Sequence, residues 1–422
     1  MNILLLNTSD SGGGAAVAAY RLLNTLKKTG KNVVMLVRDK RTESPNVVSV
    51  NTSWWEVKIN YWRFLLERLI IFFCNGFDRK DLFKVSIANT GVDIIKCDLV
   101  KKADIIHLHW INQGFLSLKG IKGLLSLKKP IVWTLHDMWP CTAICHHALA
   151  CENFKQKCGK CSFLHSDNEH DLSYRIWKKK EFVASSGIQL VVVSSWLATK
   201  VKQSSLTCNL PVTVIPNVID TSVFYRKDKI SLRNALGFPL DKKIVLMGAA
   251  RLDDPIKGFE YLKEALNLLS KDYSDSSNLL LVLFGRIKDK TNFFKDLSIP
   301  HIYMGELGKV NKIADLYSVA DVTVVPSLYE TFGQTIIEAM ACGCPAVSFN
   351  NSGQIDIIDH KVNGYLAKYL DVKDFAKGID WILNECDNKD ISYSCIRKVD
   401  ENYTENVVAE KYISLYNSLL KD

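Results

Sequence analysis

Residues 321–345 read DVTVVPSLYETFGQTIIEAMACGCP, and this stretch decides the fold class. A valine-rich run ends at Pro326, a polar loop carries Glu330, Phe332 and Gly333, and an apolar segment of helix length follows with Glu338 inside it. The pattern predicts a strand, a loop and a helix in succession. The same rhythm repeats on either side, in KIVLMGAA (243–250) and LLLVLFG (279–285), and again in ILLL (3–6), VVMLV (33–37), DIIHLH (104–109) and IVWTLH (131–136). Strands alternating with helices read as βαβ units, so the fold class is α/β. The rhythm pauses at TVIPNVIDTSVF (213–224), where Pro216 and Asn217 follow a strand. A domain junction is expected there. Two open, Rossmann-like parallel sheets are therefore expected, over 1–217 and 218–400, facing each other across a deep cleft and followed by a packing helix over 401–422. In such sheets ligands lie beyond the carboxyl ends of the strands.

The composition agrees with a globular chain of two or three domains: 422 residues, 47% hydrophobic and 23% charged. Its formal charge of +9 is unevenly spread. Residues 1–217 carry 29 basic and 16 acidic side chains, a net +13, against 25 and 29, a net −4, in the remainder. That surplus is too diffuse for a dedicated nucleic-acid binder, and none is expected; it suits contact with an anionic membrane or a phosphate-bearing substrate, or it is a solvated basic face. Met1 leads straight into ILLLN with no basic and apolar leader, so no export signal is expected and the compartment expected is the cytoplasm. Residues 54–77, WWEVKINYWRFLLERLIIFFCNGF, are apolar and aromatic but interrupted by Glu56, Lys58, Arg63, Glu67 and Arg68. They lack the ~20 uncharged residues of a bilayer span. They form either an interfacial helix or, the reading taken here, a helix packed on the front domain.

Three constellations can carry chemistry. Glu330 and Glu338 flank a helix start at which Gly333 lets backbone approach closely, and the free first-turn N–H groups make a site for an anion or a hydroxyl. A sugar nucleotide needs both; a pair of solvated glutamates is the plain alternative. In AARLDDPIKGFEYLKEAL (249–266), Arg251 follows a strand and Lys257 precedes a helix. Together they can clamp a diphosphate and neutralise a leaving nucleotide without a metal, unless Asp253 and Asp254 merely balance them as surface charge. In SDSGGGAAVAAYRLL (9–23), Gly12, Gly13 and Gly14 stand between the first strand and its helix and offer unencumbered amides. The spacing is neither a dinucleotide fingerprint nor a P-loop.

Five of the twelve cysteines crowd into residues 141–165, a cysteine-rich insertion containing CTAICHHALACENFKQKCGKC. Cys158 and Cys161 have the C-x2-C spacing of a zinc knuckle, and Cys145 and Cys151 can complete four thiolates around a structural zinc. Reduced, unliganded thiols are the alternative, ahead of disulfides.

In order along the chain, the glycine loop, HLHW (107–110), TLHDMWP (134–140), IPNVID (215–220), Arg251 with Lys257, and Glu330 with Glu338 resemble the retaining GT-B glycosyltransferases of family four. The HDMWP segment followed by a cysteine cluster is most similar to an exopolysaccharide and envelope polysaccharide sub-group. Val218 stands where many relatives have glycine, and Cys141 where an aromatic is usual. The resemblance implies a hexosyltransferase that needs no metal for catalysis, takes a nucleoside diphosphate sugar (UDP- or GDP-linked), and extends a lipid-linked glycan acceptor. It implies that Glu338 binds the ribose, Glu330 with the backbone of Phe332 and Gly333 the sugar hydroxyls, and Arg251 with Lys257 the diphosphate, while His136 sits near the sugar. Retention in the family is attributed to front-face departure and attack, so no protein nucleophile is assigned. The rival expectations are a sugar-nucleotide epimerase or hydrolase of the same architecture, and a non-catalytic glycan-binding protein.

Overall fold

The computed structural model describes residues 1–272 and 278–421. The chain forms two compact units, one of residues 1–216 together with 409–422 and one of residues 217–408. In the last helix, Glu405–Leu419, the first residues count with the second unit and the rest with the first.

The first unit is a seven-stranded sheet: β1 (Asn2–Ser9), β2 (Asn32–Asp39), β3 (Val47–Ser49), β4 (Ile105–Leu108), β5 (Ile131–Leu135), β6 (Gln189–Val192) and β7 (Val212–Val214). Every pairing is parallel and the spatial order is β3-β2-β1-β4-β5-β6-β7. β1, β4, β5 and β6 are buried almost throughout, as strands covered by helices on both faces must be. The chain winds outward from β1 to β3, then returns to the other side of β1 to lay down β4. The loops after β1 and β4 thus diverge and leave a crevice at this switch point.

The second unit repeats the plan with six strands: β8 (Lys243–Arg251), β9 (Leu279–Arg286), β10 (His301–Tyr303), β11 (Val322–Val325), β12 (Ala346–Phe349) and β13 (Gly364–Ala367). Their order is β10-β9-β8-β11-β12-β13, all parallel. Val245, Leu281, Val324 and Val347 from four adjacent strands share one buried core with Leu262, Leu266 and Phe375 from the covering helices. The switch point lies between β8 and β11.

The helix Trp54–Cys74 turns an unexpected face inward. Its Ser53–Glu56 capping box starts it as the local sequence dictates, but the side chains it buries are Asn60, Glu67, Arg68 and Ile71. Trp54, Trp55, Trp62, Leu66, Leu69 and Phe73 are exposed. The helix packs on the front domain through these polar groups and Ile71, with the Phe64 backbone against Gly114, but most of its apolar residues face away from the core. Among the described residues no helix is long and apolar enough to cross a membrane.

Candidate active site

In the second unit the switch point gathers the residues that the sequence singles out. β8 runs into a short 3-10 turn, Pro255–Lys257, and β11 runs through Ser327 to Glu330. Because the two strands are neighbours, the two loops meet. Lys257 Nζ donates to Glu330 Oε1 at 2.6 Å and Ser327 Oγ to the same oxygen at 2.8 Å. The main chain of Glu330 is held as well: its N–H donates to Ser352 Oγ at 3.0 Å, and its carbonyl accepts from Gly353 N–H at 2.7 Å.

Such crowding has a backbone requirement. A Cβ on Gly258, at φ +71°, would stand 2.0 Å from the Pro326 carbonyl oxygen, and one on Gly353 would stand 2.2 Å from that of Thr331. Gly333 takes φ +118° as it opens the helix Gln334–Ala341, and Phe332 beside it is buried against Tyr403. Glu338 lies inside that helix, nearly buried, with the Tyr317 hydroxyl donating to its Oε2 at 3.4 Å. Arg251 is placed differently. It ends β8 past a register shift that begins at Gly248, and its Nε donates to Asp253 at 3.2 Å. The two cations expected to act together therefore have separate carboxylates, Asp253 for Arg251 and Glu330 for Lys257.

In the first unit Gly12, Gly13 and Gly14 follow β1, with Gly12 at φ +90°. A Cβ there would meet Arg41 Nη1 at 2.3 Å, while Gly13 and Gly14 border open space. Asp10 ties this loop down by accepting from the N–H groups of Arg41 and Thr42 and from the Thr42 hydroxyl. Across the switch point, Trp110 N–H donates to Asn7 Oδ1 at 2.8 Å.

His136 follows β5, with its Nε2 3.0 Å from His109 Nδ1, so the two rings share one proton along that line. His107, two residues before His109 and within β4, has Nδ1 2.7 Å from the Tyr416 hydroxyl and Nε2 2.7 Å from Thr134 Oγ1. Burial in this apolar surround holds His107 down to about 3 and His136 down to about 4, and it lowers His109 as well. All three are neutral imidazoles at physiological pH.

Asp137 next door is a structural hub: it accepts from Trp110 Nε1 at 2.9 Å, His146 Nδ1 at 2.7 Å and the Trp139 N–H at 2.8 Å. Despite burial, those partners hold its carboxyl down to about 2. Lys180, fully buried, closes the same loop by donating to the carbonyls of Trp139 and Thr142 at 2.6 and 2.8 Å, with its ammonium 3.5 Å from the Trp139 ring centroid.

All twelve cysteines are free, and among the described residues no three His, Cys, Asp or Glu side chains are grouped so that they could hold a metal ion. Cys158 is buried while Cys151 is exposed. Burial pushes Cys158 up to about 11 and Cys161 up to about 12, and raises Cys145 as well. Cys145 lies near enough to Cys151, Cys158 and Cys161 for their charges to act on it, so the four thiols are neighbours, though not grouped as a metal site here. His146 is turned instead to Asp137, and His165 to Asp78 at 3.2 Å.

Sequence reasoning missed Ser327, Ser352, Gly353, His109 and Lys180. The Asn-Ser-Gly run after β12 is a turn signal that marks the Ser352–Gly353 contact. No local pattern marks a lysine that folds inward.

Comparison with known proteins adds to this geometry. Residues 12–223 match the family described as Glycosyltransferase Family 4, and residues 228–394 that described as Glycosyl transferases group 1. An uncharacterized glycosyltransferase of Methanocaldococcus jannaschii is 29% identical over 330 residues, 75% of this chain and 76% of its own. Among solved structures, a sucrose-phosphate synthase of Thermosynechococcus elongatus superimposes with a TM-score of 0.68 at 18% identity, covering 100% of this chain and 99% of its own. The Anabaena protein HepE, in complex with UDP and glucose, gives 0.64 at 16% identity over 99% of this chain and 100% of its own.

Proposed function

Because the chain belongs to glycosyltransferase family 4 and has the α/β GT-B fold, we propose that it is a retaining, metal-independent hexosyltransferase of polysaccharide biosynthesis. Its donor is a nucleoside diphosphate sugar, and its acceptor a growing, lipid-linked glycan at the cytoplasmic face of a membrane. This is the exopolysaccharide and envelope reading that the HDMWP segment suggests. UDP is the donor nucleotide most directly supported, since the HepE structures hold UDP, glucose and UDP-glucose.

The observation that carries the reading is the Lys257–Glu330 pair at the β8/β11 switch point, beside the helix that Gly333 opens. Lys257 supplies positive charge where a diphosphate would lie at the strand ends, and Arg251 adds a second cation once it exchanges Asp253 for phosphate. Glu330 already accepts from Lys257 and Ser327, which suits a hydroxyl acceptor held in place better than an attacking nucleophile. Glu338 takes the ribose. The step is a substitution at the anomeric carbon: its bond to the β-phosphate oxygen breaks, a bond to the acceptor oxygen forms on the same face, and the acceptor proton passes to the leaving phosphate. His136 enters as a neutral imidazole that orients a sugar hydroxyl, since its burial denies it the imidazolium form at neutral pH.

Turnover of a panel of UDP- and GDP-hexoses with a polyprenyl-linked glycan acceptor, in EDTA, tests the reading. Retention of anomeric configuration is expected. Inversion, release of free sugar at a rate the acceptor does not change, or activity that only magnesium or manganese restores would overturn it.

A further inference from the structure

The helix Trp54–Cys74 is built inside out. Glu67, fully buried, accepts at Oε1 from the Ser86 hydroxyl at 2.6 Å and from the N–H groups of Ile87 and Ala88 at 2.7 and 3.0 Å. Arg68 pairs with Glu67 at 3.1 Å and donates to the carbonyls of Leu82 and Val85. These polar contacts consume the face that would otherwise meet water.

On the opposite face Trp55, Ile59, Trp62, Leu66, Leu69 and Phe73 follow one another at spacings of four and three, which is one continuous stripe. Trp55 and Trp62 are each 67% exposed and Phe73 57%. Phe77 and Phe83 just beyond the helix are exposed too. A contiguous apolar face of this extent marks an interaction surface. Between the helix and the segment that Arg68 pins to it lies a groove of about 530 Å³, lined by Trp62, Leu66, Leu69, Phe72, Arg79 and Leu82.

The charge around the stripe names the partner. Every acid between residues 54 and 84 is engaged: Glu56 with Thr52 and Ser53, Glu67 with Arg68, Asp78 with His165, and Asp81 with Lys84. Lys58, Arg79 and Lys80 remain exposed beside the aromatic residues. Tryptophan, tyrosine and cations flanking an apolar face fit the polar boundary of a lipid leaflet. A second copy of the helix laid on this one would instead bring like charges together, and the apolar face, widened by Leu65 and Phe72, exceeds a two-helix seam.

We propose that this face docks on an anionic phospholipid leaflet, with the helix lying in the interface, the tryptophans at the headgroup boundary, Leu66, Leu69 and Phe73 toward the acyl chains and one chain occupying the groove. The inference rests on the transferase reading only in placing the acceptor at a membrane. The surface belongs to the first unit and the donor residues to the second, so the two can fail separately.

The test is flotation of the full chain with vesicles of phosphatidylcholine carrying increasing phosphatidylglycerol, alongside calorimetric titration with UDP. Binding that rises with phosphatidylglycerol and survives in part at high salt is expected. The triple variant Trp55→Ser, Trp62→Ser, Leu66→Ser alters only exposed side chains; it should lose at least about tenfold in vesicle affinity and keep its UDP affinity. Lys58→Gln with Arg79→Gln should remove the salt-sensitive part of binding.

No flotation at any composition overturns the proposal, as does flotation that the triple variant leaves unchanged. So does a dimer in sedimentation equilibrium that the triple variant dissociates, which would assign the face to a second copy. Failure to bind UDP with flotation intact would count against the donor reading alone.

Discussion

Lowering the pH from 7 to 5 should cost the first unit about 4 kcal/mol of stability, and His107 and His136 account for it. Burial holds them at about 3 and about 4 in the folded chain, against an ordinary value near 6.5. As the pH falls through 6.5 the unfolded chain takes up protons on these residues and the folded chain does not, so each depressed group withdraws stability on the way down. Well below 6.5 the loss approaches about 1.4 kcal/mol per pH unit per group, and over this window it integrates to about 2 kcal/mol each. His109, also depressed by burial, adds in the same direction. Asp137, held down to about 2, loses its contribution only below the usual carboxylate range, and Lys180, lowered to about 7 by burial, adds a few tenths of a kcal/mol in the same direction at the upper edge of the window. Urea unfolding followed by tryptophan fluorescence isolates the effect, because eight of the nine tryptophans lie within residues 1–216. His107→Gln, which can still hydrogen-bond but cannot titrate, should lose the share of the pH dependence that His107 carries, about 2 kcal/mol. Equal unfolding free energies at pH 5 and 7, or an undiminished slope in the variant, would refute the reasoning.

Three further outcomes are expected. Lys257→Ala should fold normally yet slow turnover by about 10²–10³, the range for losing one preorganised charge donor; a wild-type rate would remove Lys257 from the diphosphate. Glu330→Gln should leave UDP affinity intact while Glu338→Gln weakens it, and calorimetry showing the opposite order would exchange their roles. Gly353→Ala places a methyl against the backbone of Thr331 and Phe332, so melting temperature and UDP affinity should fall together, by about 1–3 kcal/mol in stability. A neutral result would mean that the 351–353 loop yields without moving Glu330.

Much of this architecture is legible in the sequence because a parallel strand buried on both faces must be apolar nearly throughout. KIVLMGAA, LLLVLFG and IVWTLH announce themselves in that way, and the loop after each is where ligand chemistry concentrates. Lys257 and Glu330 stand apart in the sequence, and only the adjacency of β8 and β11 brings them to 2.6 Å. That adjacency follows from strand order, which periodicity does not encode. The Trp54–Cys74 helix shows the limit more sharply. Its composition is readable, but which face turns inward is settled by Glu67 finding the amides of residues 87 and 88, a contact between distant parts of a loop and a helix. Cysteine spacing says less for a related reason: the 145–161 run fixes how far apart the thiols are along the chain, while short turns and burial decide where each one points.

Residues 409–422 complete the first unit after the whole of the second has been made, and the order of synthesis follows from that. When the ribosome has finished β7, Thr134 and His107 have been translated, but Tyr412 and Tyr416, whose hydroxyls meet them at 3.0 and 2.7 Å, are still almost 200 codons away. The nascent first unit must wait with a buried hydroxyl and an imidazole lacking these tyrosines, each such vacancy worth about 1–3 kcal/mol. A chain truncated between β7 and Tyr412 would therefore have a first unit that never fully closes, even though all seven of its strands are present. The closing helix thus ties completion of the first unit to prior synthesis of the whole second unit.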